Sequence, residues 1–211
     1  MRGRFISVEG LDGTGKTTIC AALSERLAAE GVTVASFREP GGTPLGEQIR
    51  SLLADPSRTM SPRAELLLFQ AARAELVETV VRPALRAGTW VLLDRFADST
   101  LAYQGAGRGL GDDLVRAAAD LATAGLVPDR TLLLRAPSQV RRLRLADRGE
   151  LTDRVESSGA ALFARTEARY EALLTEEPAR VRAIDATGDV ATVTELAWQA
   201  TADLLHPVAS G

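Results

Sequence analysis

One stretch near the start of the chain restricts the possible folds more than any other. Residues 8–18 read Val-Glu-Gly-Leu-Asp-Gly-Thr-Gly-Lys-Thr-Thr, which fits the pattern G-x-x-x-x-G-K-[ST] from Gly10 to Thr17. A short apolar run at residues 4–8 precedes it, and apolar residues at fourfold spacing follow it. Strand, glycine loop and helix, in this order, are the context that a phosphate-binding loop requires.

This loop predicts how a polyphosphate is held. Gly10, Gly13 and Gly15 permit positive φ and a close backbone approach, so that successive N–H groups can point at phosphate oxygens at a helix N-terminus. We expect Lys16 to reach the terminal phosphates, and the hydroxyl of Thr17 to bind a magnesium ion that bridges them. A chance glycine-rich turn is the alternative, and the strand and helix on either side argue against it.

Length and composition favour one domain and exclude several classes of protein. The 211 residues are 45% hydrophobic and show no sharp change in composition, which predicts a single domain over residues 1–211. The net charge of −3 argues against a protein that coats nucleic acid. A single cysteine, Cys20, excludes an internal disulfide. Because no signal sequence precedes the first strand and no apolar run nears the roughly 18 residues of a membrane span, we expect a cytoplasmic protein without a membrane partner.

Strands alternate with helices along the rest of the chain. Further strands are predicted at 32–37, 90–93, 130–134 and 181–184, with helices between them and a last helix over 190–205. This alternation predicts an α/β fold of three layers, in which a five-stranded parallel sheet is flanked by helices on both sides.

A charged stretch at about residues 148–158 has no apolar period. It follows a helix rich in arginine and precedes another long helix. Such a stretch is either disordered filler or a lid, and its arginines favour a short lid over phosphates.

Polar residues follow the carboxyl ends of the predicted strands, where open parallel sheets bind their ligands. Asp94 ends the third strand, in the position typical of the carboxylate that holds magnesium through its waters. Arg38 follows the second strand and is expected to face the same crevice as the phosphate loop, although this residue alone would favour a solvated turn arginine. Arg73 shares a helical face with Phe69, and this spacing leaves a structural cation–π pair and a ligand site equally open.

The segment after Asp94 has the pattern of a site wall. In a helix beginning near Phe96, Ser99 and Tyr103 share one face, and Thr100 and Gln104 share the adjacent one. Several glycines follow this helix, which weakens the alternative that it is an ordinary polar surface helix.

Together these motifs resemble those of thymidylate kinases, the nucleoside monophosphate kinases that phosphorylate dTMP from ATP. The similarity covers essentially the whole chain. Its landmarks are GLDGTGKTT at 10–18, FREPGGT at 37–43, FQAAR at 69–73, DRF at 94–96, DSTLAYQGAGRG at 98–109 and RGELTDRVE at 148–156. REPGGT together with DSTLAYQG is its most specific part, because other kinases of the superfamily lack both.

The resemblance implies a P-loop kinase that makes dTDP and ADP for dTTP synthesis, with ATP as co-substrate, Mg²⁺, and a homodimer. It implies that Lys16, Arg95, Asp12 and a lid arginine are catalytic, and that Thr17 and Asp94 bind the metal. The implied ATP-binding residues are Gly10, Gly13, Thr14, Gly15, Lys16, Thr17, Thr18 and Arg144. Because positions 11–14 carry no basic residue, the chain is similar to the lid-arginine type, with Arg148 as the expected donor and Arg144 or Arg154 nearby.

The resemblance also implies how dTMP is bound. Phe69 stacks on thymine, Arg73 binds its carbonyl edge, and Tyr103 crowds the sugar 2′ position. Arg38 and Arg95 hold the dTMP phosphate and the transferring group, and Asp12 binds the 3′-hydroxyl. The nucleobase pocket is completed by Ser99, Thr100 and Gln104.

Three positions depart from the family pattern. Arg135 stands where an aspartate is usual, Phe96 where tyrosine is common, and Thr152 resembles an insertion in the lid. Two other functions remain open. One is a kinase of the same fold for another nucleotide or a deoxynucleoside, and the other is a nucleotide-binding regulator without turnover.

Overall fold

Five parallel strands form one sheet at the centre of the computed structural model, which describes residues 2–147 and 159–205. They are β1 Phe5–Glu9, β2 Val34–Arg38, β3 Trp90–Asp94, β4 Arg130–Arg135 and β5 Val181–Asp185. Their spatial order is β2-β3-β1-β4-β5, and every neighbouring pair is parallel. The predicted five-stranded parallel sheet flanked by helices is therefore confirmed, with strand ends within two residues of those expected.

Helices cover both faces of the sheet. They are α1 Lys16–Ala29, α2 Pro44–Ala54, α3 Pro62–Leu76, α4 Arg82–Arg86, α5 Ala97–Thr100, α6 Asp112–Thr123, α7 Ser138–Asp147, α8 Ala160–Glu176 and α9 Val190–Gln199. Two π-helical turns, Val77–Val81 and Leu101–Gly107, continue α3 and α5. The predicted helix after Asp94 is therefore wound partly as π-helix, a form that is frequent at functional sites.

The last helix is shorter than its apolar pattern predicts. It ends at Gln199 rather than at residue 205, and a 3₁₀ turn, Ala202–Leu204, follows. The hydroxyl of Thr201 donates to the carbonyls of Ala197 and Trp198, so a side chain provides hydrogen bonds to carbonyl groups in the last turn of the helix. This local capping explains why the helix ends before its apolar period does.

The alternating side chains of β1 divide the core between two layers. Ile6 and Val8 pack with α1 and α9 on one face of the sheet, in a cluster that includes Leu23 and Ala197. Phe5 points to the opposite face and packs edge-to-face on Phe96. The period of two in a buried strand thus fixes the sheet between its helical layers.

The predicted lid at 148–158, with Arg148 and Arg154, lies outside the described residues, as does His206. None of the helices in these two described ranges combines the length and the apolar composition of a membrane-spanning helix.

Candidate active site

The phosphate loop joins the carboxyl end of β1 to the first turn of α1. Gly10 has φ 135° and Gly13 has φ 81°, values that favour glycine. A Cβ at Gly13 would lie 2.5 Å from the carbonyl oxygen of Arg141, and one at Gly10 would lie 2.5 Å from that of Leu134. Glycine is therefore required at both positions, by backbone angle and by space.

Lys16 opens α1 and is buried under the loop. Its ammonium donates to the carbonyl of Leu11 at 3.1 Å and lies 3.6 Å from Oδ1 of Asp12. Burial, and then the nearby Arg95 cation, lower the pKa of Lys16, while the surrounding carboxylates raise it. The loop thus holds a cation at its centre.

Thr17 and Asp94 form an oxygen pair beside Lys16. The hydroxyl of Thr17 donates to Oδ2 of Asp94 at 2.5 Å, although the two residues lie on α1 and β3. A hydroxyl and a carboxylate are ligands that Mg²⁺ accepts when waters and phosphates complete its coordination. Among residues 2–147 and 159–205 there is no group of three His, Cys, Asp or Glu side chains that could hold a metal by themselves. The residues present therefore fit magnesium.

Asp12, Arg95 and Tyr103 form a charged cluster next to the loop. The guanidinium of Arg95 donates to Asp12, and the hydroxyl of Tyr103 donates to Oδ2 of Asp12 at 3.1 Å. The Arg95 cation also lies 5.1 Å from the centre of the Tyr103 ring. Burial alone would raise the pKa of Asp12, but Arg95 and Lys16 lower it below its ordinary value. The cluster keeps Asp12 ionised and arginine fixed.

Arg95 is held in an unusual backbone conformation. Its φ is 73°, which is rare for a residue with a side chain. Oε1 of Glu9 accepts from the next backbone N–H, that of Phe96, at 2.7 Å. Oε2 accepts from the hydroxyl of Ser99 at 2.5 Å, and the oxygen of that hydroxyl accepts from Arg95 at 3.0 Å. Glu9 therefore anchors both the backbone and the side chain of Arg95.

The pH dependence of stability tests this buried carboxyl group. Burial, and then the Asp98 carboxylate, raise the pKa of Glu9 from 4.5 to about 7. Because its pKa is higher in the folded state, Glu9 binds its proton more tightly there than in the unfolded chain. The resulting contribution of Glu9 to the free energy of unfolding is complete below pH 4.5 and is lost as the pH rises through 7. We expect the unfolding free energy of the wild type, relative to that of Glu9→Gln, to fall between these limits by at most about 1.4 kcal/mol per pH unit. Urea unfolding of both proteins from pH 4.5 to pH 8 measures this; a constant difference would contradict it.

A cavity of about 150 Å³ opens beside the charged cluster. It contains most of the predicted substrate-binding residues. Those lining it are Asp12, Glu39, Pro40, Arg50, Leu53, Ala54, Phe69, Arg73, Arg95, Ser99, Thr100, Tyr103 and Gln104. Residues from the loop after β1, from α3 and from the segment after β3 therefore meet at one site.

Arg73 is fixed on all sides within this wall. It donates to Glu39 at 2.7 Å, to the amide oxygen of Gln70 at 3.0 Å and to the carbonyl of Phe96 at 3.0 Å. Its guanidinium lies 5.2 Å from the centre of the Phe96 ring. The structure thus has the cation–π contact with Phe96, and it leaves Phe69, the aromatic residue that the sequence suggested, to line the cavity.

Other predicted residues lie around this centre. Arg38 is in register with Asp94 across β2 and β3, but its side chain is exposed and pairs with Glu47 at 3.1 Å. Arg144 donates to the carbonyls of Thr14 at 3.5 Å and Gly188 at 3.3 Å. It borders a second cavity, of about 440 Å³, on the far side of the loop. Loop and first-helix residues Thr14, Gly15 and Thr18 also line that cavity.

Arg135 lies behind the phosphate loop. Its Nε pairs with Glu171 at 2.8 Å, and both side chains are exposed. It borders a third cavity, of about 580 Å³, together with Gly10, Leu11 and Thr14. The positive charge that departs from the family pattern therefore faces an opposite charge near the loop.

The thymidylate kinase family model matches residues 8–196, which is most of the chain. The chain belongs to the thymidylate kinase family. A protein of Halorhodospira halophila named thymidylate kinase is 46% identical over 97% of this chain and 96% of its own length. Proteins of the same name from Rhizorhabdus wittichii and Deinococcus radiodurans are 44% and 43% identical, each over 97% of this chain, and are covered over 100% and 99% of their lengths.

Sequence reasoning missed the buried carboxylates that support this site. Glu9 and Glu65 are both buried, at 0% and 1% exposure. Glu9 follows an apolar run directly and Glu65 lies in the first turn of α3, where an acidic residue is ordinary. Their role depends on partners 39 or more positions away in the chain, so no local pattern could identify it.

Proposed function

We propose that this chain, as a single domain, transfers the γ-phosphate of ATP to dTMP and releases dTDP and ADP. Family membership supports this reaction. The observation that carries the residue roles is the cavity beside the phosphate loop, where Arg95 and Asp12 meet Phe69 and Arg73. A charged end next to Lys16 and an apolar, base-sized end suit a nucleoside monophosphate.

The proposed mechanism rests on positioned positive charge. A phosphate monoester is already ionised near neutral pH, so its oxygen can attack the γ-phosphorus without a general base. Lys16 and Arg95 converge on the place where the two phosphates meet, and they stabilise the charge that spreads over the equatorial oxygens. Arg148 is proposed to add a third cation from the lid. Asp12 orients Arg95 and is proposed to bind the sugar 3′-hydroxyl.

The proposed donor side lies across the phosphate loop. Backbone N–H groups of the loop, with Thr14, Thr18 and Arg144, would bind ATP. Thr17 and Asp94 would hold a magnesium ion, which supplies positive charge across the phosphates when bound. The acceptor side would use Arg38 for the dTMP phosphate, with Ser99, Thr100, Tyr103 and Gln104 around the nucleoside.

A coupled ADP-release assay tests the reaction. With Mg²⁺ and ATP, we expect turnover of dTMP to exceed that of dUMP, and both to exceed that of dCMP, dGMP, AMP and thymidine. Preference for another monophosphate or for thymidine would retain the fold and reject the residue roles. ATP binding without any turnover would instead favour a regulator.

Arg73 provides a test of base recognition. We expect Arg73→Ala to raise the KM for dTMP and to lower the ratio of kcat/KM for dTMP over dCMP by about tenfold, since a donor to the carbonyl edge is lost. Because Glu39 would remain buried without its cation, the double variant Glu39→Gln/Arg73→Ala serves as the control for folding. An unchanged base preference in both variants would contradict the proposed role.

A homodimer is proposed from an exposed apolar surface on α3 and α6. Leu67, Leu114 and Leu121 are 65%, 45% and 86% exposed, and the two helices pack against each other. Exposed apolar patches of this kind mark interfaces. We expect light scattering to give twice the chain mass of 22.4 kDa and Leu121→Glu to give the monomer. A wild type that is monomeric at micromolar concentration would reject the proposal, as would a Leu121→Glu variant that remains dimeric.

We also propose that the protein is located in the cytoplasm.

A further inference from the structure

Gln104 is bound from behind by a buried carboxylate. It lines the 150 Å³ cavity, and its amide nitrogen donates to Oε1 of Glu65 at 2.8 Å. Glu65 lies on α3 and is 1% exposed. Its Oε1 also accepts a hydrogen bond from Nε of Arg108 at 3.1 Å, and its Oε2 accepts one from Nη2 of Arg108 at 3.0 Å. The three side chains form a connected network from the cavity wall inward.

This network permits only one orientation of the Gln104 amide. A carboxylate that receives two N–H groups from an arginine accepts hydrogen bonds and donates none. Oxygen of the amide would be repelled by Glu65, so the nitrogen faces Glu65 and the oxygen faces away from it. Gln104 therefore presents an acceptor, not a donor, to the cavity that it lines.

We propose that Glu65 determines base specificity as a positioning residue, because it fixes the amide oxygen of Gln104 as the acceptor for N3–H of the pyrimidine. This inference rests on the proposed function. Arg73, in the same wall, can only donate. A donor beside an acceptor matches the O4 and N3–H of thymine, whereas cytosine offers the opposite pair, an N4 donor and an N3 acceptor.

Glu65→Gln tests the orientation directly. The new amide can donate as well as accept, so Gln104 is able to turn and present its nitrogen to the cavity. We expect the ratio of kcat/KM for dTMP over dCMP to fall by about tenfold, while Arg73 retains the rest of the discrimination. Uracil has the same N3–H and O4 as thymine, so the ratio of dTMP over dUMP should remain unchanged and serves as the internal control.

The double variant Glu65→Gln/Arg108→Leu covers the case in which an unpaired Arg108 impairs folding. It removes that cation and leaves the Gln104 amide free to turn, so the same fall in the dTMP over dCMP ratio is expected. A merely structural role of Glu65 would lower kcat/KM for all three substrates by one factor. An unchanged dTMP over dCMP ratio in a folded variant would overturn the proposal, whereas a wild type that fails to phosphorylate dTMP would reject the proposed function itself.

Discussion

Replacing Lys16 by alanine is expected to lower kcat for dTMP phosphorylation by at least about 100-fold. Its ammonium lies buried at the centre of the phosphate loop, 3.1 Å from the Leu11 carbonyl. At this position the ammonium can stabilise the negative charge that develops on the leaving phosphate in the transition state. Loss of one preorganised donor of this kind costs about 100- to 1000-fold in kcat. Steady-state kinetics at saturating ATP and dTMP measures the effect.

A matched control separates this local role from a general loss of charge. Arg116→Ala removes one exposed cation that pairs with Glu176, away from the cavity residues, and should leave kcat unchanged. Because Lys16 is the only lysine in the chain, protection of its amine by ATP against an amine-specific reagent gives an independent measure of contact. A Lys16→Ala enzyme with near-normal kcat would reject the catalytic role.

Local patterns predicted the fold and the polyphosphate half of the site. The glycine positions of the loop are fixed by φ and by contacts with the chain that crosses it, and these requirements appear directly as a motif. Asp94 could be predicted because parallel strands direct their carboxyl ends to one edge, which brings it to Thr17. Such features depend on residues close in sequence and on the general geometry of parallel sheets.

The remaining features depend on distant partners, which explains why the sequence did not predict them. Arg73 packs on Phe96 rather than Phe69 because the chain after β3 places that ring beneath the guanidinium. Glu9 and Glu65 have ordinary local contexts, and only the tertiary structure brings Ser99 and Gln104 to them. Side-chain networks between elements have no sequence period, so periodicity cannot predict them.

Replacing Arg95 by alanine is expected to lower kcat by about 100-fold or more and to raise the KM for dTMP. Arg95 donates to Asp12, to the Gly10 carbonyl at 3.1 Å and to Ser99 at 3.0 Å, so its fork is held next to the loop before any substrate binds. The backbone at φ 73° adds strain that Glu9 offsets. A guanidinium that is already fixed in place can stabilise the transferring phosphoryl group without having to reorganise during the reaction.

Variants at position 95 distinguish charge, geometry and backbone strain. Arg95→Lys keeps the charge but lacks the planar fork, so we expect it to recover only part of the lost kcat. Arg95→Gly relieves the positive φ and should unfold at higher urea concentration than Arg95→Ala, with equally low activity. The double variant Asp12→Asn/Arg95→Ala should raise the activation free energy, calculated from kcat, by less than the sum of the two single variants. This is expected because the two side chains act through one contact. Additive losses would show that Asp12 and Arg95 act independently, and near-normal kcat in Arg95→Ala would remove Arg95 from the mechanism.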